Sequence, residues 1–181
     1  TGQYVDERDG KPFSTEFSHS RFLVPVLADS LRMQAPWALF CDCDFLFRAD
    51  VAELFALADP RFAVMVVKHD HAPLEGEKMD GMAQRRYHRK NWSSLILWNR
   101  GHPLNLDIGA AEVNHHPGSW LHSFGWLPDH AIGALPVEWN WLVGHSPPTV
   151  EPKAVHFTQG GPWLDKYRDV PYADEWRAAF A

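Results

Sequence analysis

The stretch Trp37-Ala-Leu-Phe-Cys-Asp-Cys-Asp-Phe-Leu-Phe-Arg-Ala-Asp50 limits the folds open to this chain more than any other. Pro36 disfavours a helix running into it. Five largely apolar residues, Trp37 to Cys41, then read as a buried strand of a parallel-sheet interior. The run ends in two carboxylates one residue apart, Asp42 and Asp44, where such a strand reaches the edge of its sheet. Ligands of open α/β sheets collect outside the carboxyl ends of the strands. Hard divalent cations take carboxylate oxygens there, together with substrate phosphates and water. Asp50 with Glu53 three residues on marks a capped helix start. Strand, Asp-x-Asp, short loop and capped helix together present a metal to a phosphate-bearing ligand. The plainer alternative is a turn whose aspartates only cap the backbone.

Two more buried strands come next. Residues 61–68 are β-branched and apolar after Asp59-Pro60, and residues 91–99 form a third apolar run. The second strand ends in His69-Asp-His71, a pair on one face that fits either a second metal or ordinary polar material at a strand end. Upstream, residues 14–31 read as a helix capped by Ser14 or Thr15. Its apolar face is Phe17, Val24, Leu27 and Leu31, with a kink at Pro25 and Arg21 turned toward the core. Residues 75–90 read as an active-site loop or mobile helix with the cluster Arg85, Arg86, Arg89 and Lys90, or as a solvated basic face. Short helices are expected at 107–114 and 174–180, and a short strand ends at His156 before a Gly160-Gly161 turn.

A chain of 181 residues with 45% hydrophobic side chains can bury one real core, which fits a single domain over 1–181. A formal charge of −6 gives no general attraction to nucleic acid or anionic membrane. No apolar run reaches the length of a membrane span. Cys41 and Cys43, one residue apart on an extended segment, point to opposite faces and are poorly placed to bridge one another. Free thiols beside a metal site favour a reducing compartment, the cytoplasm.

Taken in order, these motifs resemble those of metal-dependent glycosyltransferases with the GT-A fold, and most nearly glycosyltransferase family 8, the glycogenin and lipopolysaccharide galactosyltransferase group. Arg21, Phe22 and Pro25 match a helix that precedes the Asp-x-Asp strand in that family. Ser93, Ser94 and Asn99 match its strand of small residues ending in Asn. Trp92 takes the usual first Asn position, and Asn91 lies one residue earlier. Leu135, Pro136, Trp139 and Asn140 match its Leu-Pro-x-x-Trp-Asn signature. His156, Gly160, Pro162 and Trp163 fit its His-containing phosphate loop, with Gly161 where a Lys is usual and Lys166 close by as a substitute.

The resemblance implies an α/β fold, a mixed, mainly parallel sheet with helices on both faces. It implies transfer of a sugar, with retention, from a nucleotide-diphosphate donor to a carbohydrate or lipid-linked acceptor. Asp42, Asp44 and His156 would hold Mn²⁺ or Mg²⁺. Arg21 would contact the donor sugar or the Asp-x-Asp carboxylates, where a structural ion pair with Asp42 or Asp44 is the alternative. Asn91, Ser93 and Ser94 would lie against the sugar, and Gly160, Gly161 and Lys166 against the diphosphate. No apolar strand opens the chain, so the resemblance further implies that the N-terminal βα units are absent, leaving an exposed sheet edge open to association. Three rivals stand beside this reading: a haloacid-dehalogenase-type phosphatase, which wants Thr or Val where Leu46 stands; a carbohydrate-binding module with Trp92, Trp98, Trp120 and Trp126 as platforms; and an inactive fragment.

Overall fold

The computed structural model describes residues 18–70, 89 and 91–180, together with the backbone of 5–6, 11–12, 76–78 and 82–84. In chain order its strands and helices are β1 (Val5–Asp6), β2 (Lys11–Pro12), α1 (Val24–Ser30), β3 (Trp37–Cys41), β4 (Phe45–Phe47), α2 (Val51–Phe55), β5 (Val64–Val67), β6 (Gly76–Lys78), β7 (Met82–Gln84) and β8 (Leu95–Asn99). After these come α3 (Ala110–His115), α4 (Gly118–His122), β9 (Ile132–Leu135), β10 (Trp141–Leu142), β11 (Ala154–His156) and α5 (Ala173–Phe180). Strands β1 and β2 form one antiparallel pair and β6 and β7 another.

The main sheet has the order β3-β8-β5-β9. Strand β8 is antiparallel to both β3 and β5, and β5 is parallel to β9. Three of the four strands therefore run the same way with β8 reversed among them, so the sheet is mixed, with parallel direction dominant. Every residue of β5 and β8 is buried, because both faces of the sheet are covered. On one face Ala38, Val64, Val66, Ile96 and Trp98 meet Phe22, Val113 of α3, Leu121 of α4 and Phe124. On the other, Met65, Val67, Leu95 and Leu97 meet Leu54 of α2, Trp139 and Ala154. Gly133 of β9 is forced by this packing, since a Cβ there would lie 2.6 Å from the Phe62 ring.

The ends of this architecture depart from sequence expectation in two places. Strand β3 is an edge strand among the described residues, half-buried where an interior strand was expected, because it pairs on one side only, with β8. The helix expected over 14–31 has Ser14, Thr15 and Phe17 outside the described residues. The rest of that span is a turn at 18–19, a 3-10 segment at Ser20–Leu23, and then α1. Pro25 sits in the first turn of α1, where its missing N–H costs nothing, so it starts the helix instead of kinking it. Phe22, Pro25 and Ala28 are buried, while Leu27 and Leu31 are exposed. The restart at Val24 shifts the buried face off the anticipated stripe. Arg21 does turn inward and is buried.

A second, small sheet has the order β10-β11-β4. It packs Leu46, Trp141, Val155 and Phe157 against Val170, Tyr172 and Trp176 from the C-terminal segment. No helix among the described residues is long and apolar enough to cross a membrane.

Candidate metal centre at the end of the Asp-x-Asp strand

The two sheets meet at the Asp-x-Asp turn, and their registers set its geometry. The Asp42 N–H donates to the Ser94 carbonyl at 2.9 Å, carrying the β3–β8 ladder past Cys41. The Asp44 carbonyl accepts from the Phe157 N–H at 2.9 Å. Strand β4 begins one residue later and pairs antiparallel with β11, placing Phe45 opposite His156. A histidine 112 positions downstream of Asp44 is thus carried to its side by strand pairing. One ligand atom from each of Asp42, Asp44 and His156 lies within 4.8 Å of the others.

Charge and burial fit this trio to a divalent cation. Asp44 and His156 are buried, and the His156 Nε2 lies 3.4 Å from Asp44 Oδ1. Asp42 is partly exposed and takes a two-pronged ion pair from Arg21, with NH2–Oδ1 at 2.8 Å and NH1–Oδ2 at 3.3 Å. The same guanidinium donates to the Ser93 carbonyl at 2.8 Å and the Ser18 carbonyl at 3.2 Å, and it lies 4.9 Å from the Phe40 ring centre. Arg21 is thus placed by five contacts and compensates one of the two carboxylates. Two carboxylates and an imidazole are a donor set that can hold a divalent cation. Next to the two aspartates, burial and their negative charge push the Cys41 thiol up to about 11, and burial raises Cys43, which lies between them, in the same direction. Both cysteines are free.

Arg21→Leu is expected to cost about 2–3 kcal/mol of folding stability, because it strands Asp42 and two carbonyls that lose their donor; the value is set below a fully buried pair since Asp42 keeps some solvent. Urea unfolding of the variant checks it. A loss under about 0.5 kcal/mol would mean that the pair is only a surface contact.

The remaining predicted residues divide into two groups. Ser93 and Ser94 are buried beside the trio, on a 3-10 turn (Trp92–Ser94) leading into β8 and not on the strand itself. Asn91, which precedes the turn, takes a left-handed backbone (φ 63°), and its buried side-chain Nδ2 has no partner among the described residues. Gly160 and Gly161 lie in the turn after β11, where the aromatic rings around them exclude a side chain. A Cβ on Gly160, at φ 137°, would lie 2.5 Å from the Tyr167 ring, and one on Gly161 would lie 2.0 Å from Trp163. The Gly160 N–H is already committed to the Phe157 carbonyl at 2.8 Å. Lys166 is exposed, with its ammonium 5.3 Å from the Tyr167 ring centre. Of the basic cluster, Arg85, Arg86 and Lys90 lie outside the described residues. Arg89 donates to the Ser123 carbonyl and pairs with Asp129. His71 also lies outside them.

Three further partners of the site were not assigned to it from sequence. The Phe45 ring stacks on His156 with centres 4.4 Å apart, Asn140 hydrogen-bonds His156, and His122 Nδ1 lies 2.7 Å from the Ser93 hydroxyl. Asn140 does stand in the Leu-Pro-x-x-Trp-Asn signature, the one hint that it matters. Next to β11, a cavity of about 330 Å³ opens at the carboxyl ends of β5 and β9, lined by Lys68, His69, Asp70, Leu142, His145 and Ser146 among others. Burial holds His145 below its ordinary range. The four tryptophans considered as sugar platforms pack inward. Trp98 is fully buried and stacked on Trp126, and Trp92 and Trp120 rest against the same core.

No family model matches the chain. Among solved structures it superposes on the bifunctional glycosyltransferase WbbM in its apo form with a TM-score of 0.62 at 16% identity, over 91% of this chain and 35% of that one. The chain thus spans about a third of WbbM, whose likeness fixes the fold as GT-A-like α/β. Apo mouse xyloside xylosyltransferase 1 aligns with a TM-score of 0.49 at 14% identity, over 77% of this chain and 64% of that one. In sequence, the chain is 50% identical over 180 residues to Protein CDI of Arabidopsis thaliana, covering 97% of this chain and 68% of that protein. Identity at that level over nearly the whole chain settles kinship: the chain belongs to the family of Arabidopsis Protein CDI.

Proposed function

We propose that this chain is a metal-dependent glycosyltransferase related to family 8, moving a sugar from a nucleotide-diphosphate donor to a carbohydrate or lipid-linked acceptor with retention of configuration. The observation that carries the reading is the approach of Asp42, Asp44 and His156 to one point at the end of the main sheet. These three would hold Mn²⁺ or Mg²⁺, which as a Lewis acid supplies charge neutralisation for the departing nucleoside diphosphate. Arg21 keeps Asp42 fixed and adds positive charge beside the diphosphate. Ser93, Ser94 and Asn91 offer hydroxyl and amide groups to the donor sugar. The turn of Gly160 and Gly161, with Lys166 at its flank, takes the diphosphate side, as in the phosphate loop it resembles, although the Tyr167 and Trp163 rings fill the space a side chain would occupy. The cavity floored by Leu142, whose strand partner is His156, receives the acceptor.

Residues 1–181 are read as one GT-A-like domain, working in the cytoplasm, where Cys41 and Cys43 stay reduced. The edge of β3 that is unpaired among the described residues is a place for a second copy to pair. The inward-packed tryptophans weigh against a binding module, and Leu46 weighs against the phosphatase. The test is a panel of nucleotide sugars offered to the full-length protein with and without Mn²⁺, read by thermal shift and by release of nucleoside diphosphate. Metal-dependent stabilisation and turnover by one donor is the expected result. A panel giving no metal-dependent binding of any nucleotide would overturn the proposal.

A further inference from the structure

The ring of His156 is held on two sides. Phe45 stacks on its face at 4.4 Å with the planes 18° apart, and Asn140 Oδ1 lies 2.9 Å from Nδ1. Which way the Asn140 amide points is decided by its other neighbours. Its Nδ2 lies 2.9 Å from the Ser94 hydroxyl and 3.3 Å from the Asn91 carbonyl. The Ser94 hydroxyl donates its own proton to that same carbonyl at 2.7 Å. Reversing the amide would set Oδ1 against a carbonyl oxygen, so the amide nitrogen must face Asn91 and Ser94. Asn140 Oδ1 can then only accept, which makes Nδ1 a donor, so that in the neutral ring the Nε2 lone pair faces Asp44 Oδ1, 3.4 Å away. Two acceptors facing each other in a buried site repel unless a proton or a metal cation lies between them. A ligating histidine needs just this: the second ring nitrogen held as a donor, so that the first keeps its lone pair for the metal.

We infer that Asn140 is a positioning residue for the metal centre, fixing His156 in the tautomer that aims Nε2 at the cation, and that the Asn91 turn and Ser94 lock Asn140 in turn. The inference rests on the proposed function, in which Asp42, Asp44 and His156 hold a divalent ion. It links the left-handed Asn91 backbone, nearly fifty residues upstream, to the metal through a chain of three hydrogen bonds. The residues that line the donor-sugar side and the residue that holds the metal are thereby parts of one polar network.

The test uses the full-length, metal-free protein. Long-range ¹H–¹⁵N correlation spectra at about pH 8, above the ordinary histidine range, report which nitrogen of His156 carries the proton, with its signals assigned by their loss in His156→Gln. Titration with Mn²⁺ alone then gives affinity. Wild type is expected to carry the proton on Nδ1. Asn140→Leu, similar in shape and without an acceptor, should mix the tautomers and weaken Mn²⁺ about 10–100-fold. Asn140→Asp, which restores an acceptor toward Nδ1 but turns its second oxygen toward the Asn91 carbonyl, should recover the tautomer and only part of the affinity. Ser94→Ala, a milder change that loosens the amide, should move both readouts in the same direction and serves if Asn140→Leu does not fold. A wild type with the proton on Nε2 and none on Nδ1, or an Asn140→Leu protein with unchanged tautomer and affinity, overturns the inference. Absence of Mn²⁺ affinity in wild type with the proton on Nδ1 would instead defeat the metal reading and leave Asn140's hold on the ring standing.

Discussion

Asp44→Asn is expected to abolish Mn²⁺-supported nucleotide binding and turnover while leaving the protein folded. Asp44 is 7% exposed, and its Oδ1 faces His156 Nε2 at 3.4 Å. A buried carboxylate is tolerable beside a divalent cation and costly without one. Asparagine keeps the shape and removes the charge. Its amide can donate to the Nε2 lone pair and turn an acceptor–acceptor contact into a hydrogen bond. Metal-free stability should therefore hold or rise, as metal affinity falls at least about 100-fold, or roughly 3 kcal/mol. The two effects move in opposite directions, which separates loss of a ligand from loss of the fold. Calorimetric titration of Mn²⁺ with a nucleoside diphosphate, set beside a thermal melt, checks both. An unchanged dissociation constant would take Asp44 out of the site.

Trp98→Ala should cost about 3–5 kcal/mol, the usual range for deleting a buried large aromatic side chain. Trp98 is fully buried on β8, the strand between β3 and β5. It lies opposite Ala38 on one side and Val64 on the other, and it stacks nearly parallel on Trp126 with centres 6.1 Å apart. Native domains are held by about 5–15 kcal/mol, so this one change takes a large share. Trp98→Phe should be far milder. The indole N–H is buried with no hydrogen-bond partner among the described residues, and phenylalanine removes that unsatisfied donor along with some packing. Urea midpoints for the pair give the check. Equal losses from both substitutions would mean that the ring's volume is not what holds β8 in place.

The parts of this molecule that were legible in sequence are those whose signal is local. The apolar runs at 37–41 and within 61–68 and 91–99 gave three strands, and Asp50 does cap α2, accepting the Ala52 N–H at 2.9 Å. The Asp-x-Asp pair was visible because it breaks an apolar run at its end. Where the signal depends on what lies beside an element, the sequence was a weaker guide. The stripe of Val24, Leu27 and Leu31 has helical spacing, yet α1 rests on β3 through a different side, with Ala28 buried and Leu27 exposed. Ser93 and Ser94 looked like strand positions, but the left-handed Asn91 folds the chain into a 3-10 turn first. The edge position of β3 is a matter of sheet order, which no window of residues encodes. Asn140 shows the same limit within the site. Its partner is sixteen residues on and arrives by parallel pairing of β10 with β11.

The central claim is that Asp42, Asp44 and His156 share one divalent ion, and the most direct measurement is anomalous scattering from crystals grown with Mn²⁺ and a nucleoside diphosphate. One strong manganese peak is expected within bonding distance of an oxygen from each aspartate and of His156 Nε2, with His156 Nδ1 still on Asn140. A peak bound elsewhere, or none beside Asp44 at saturating Mn²⁺, would contradict it.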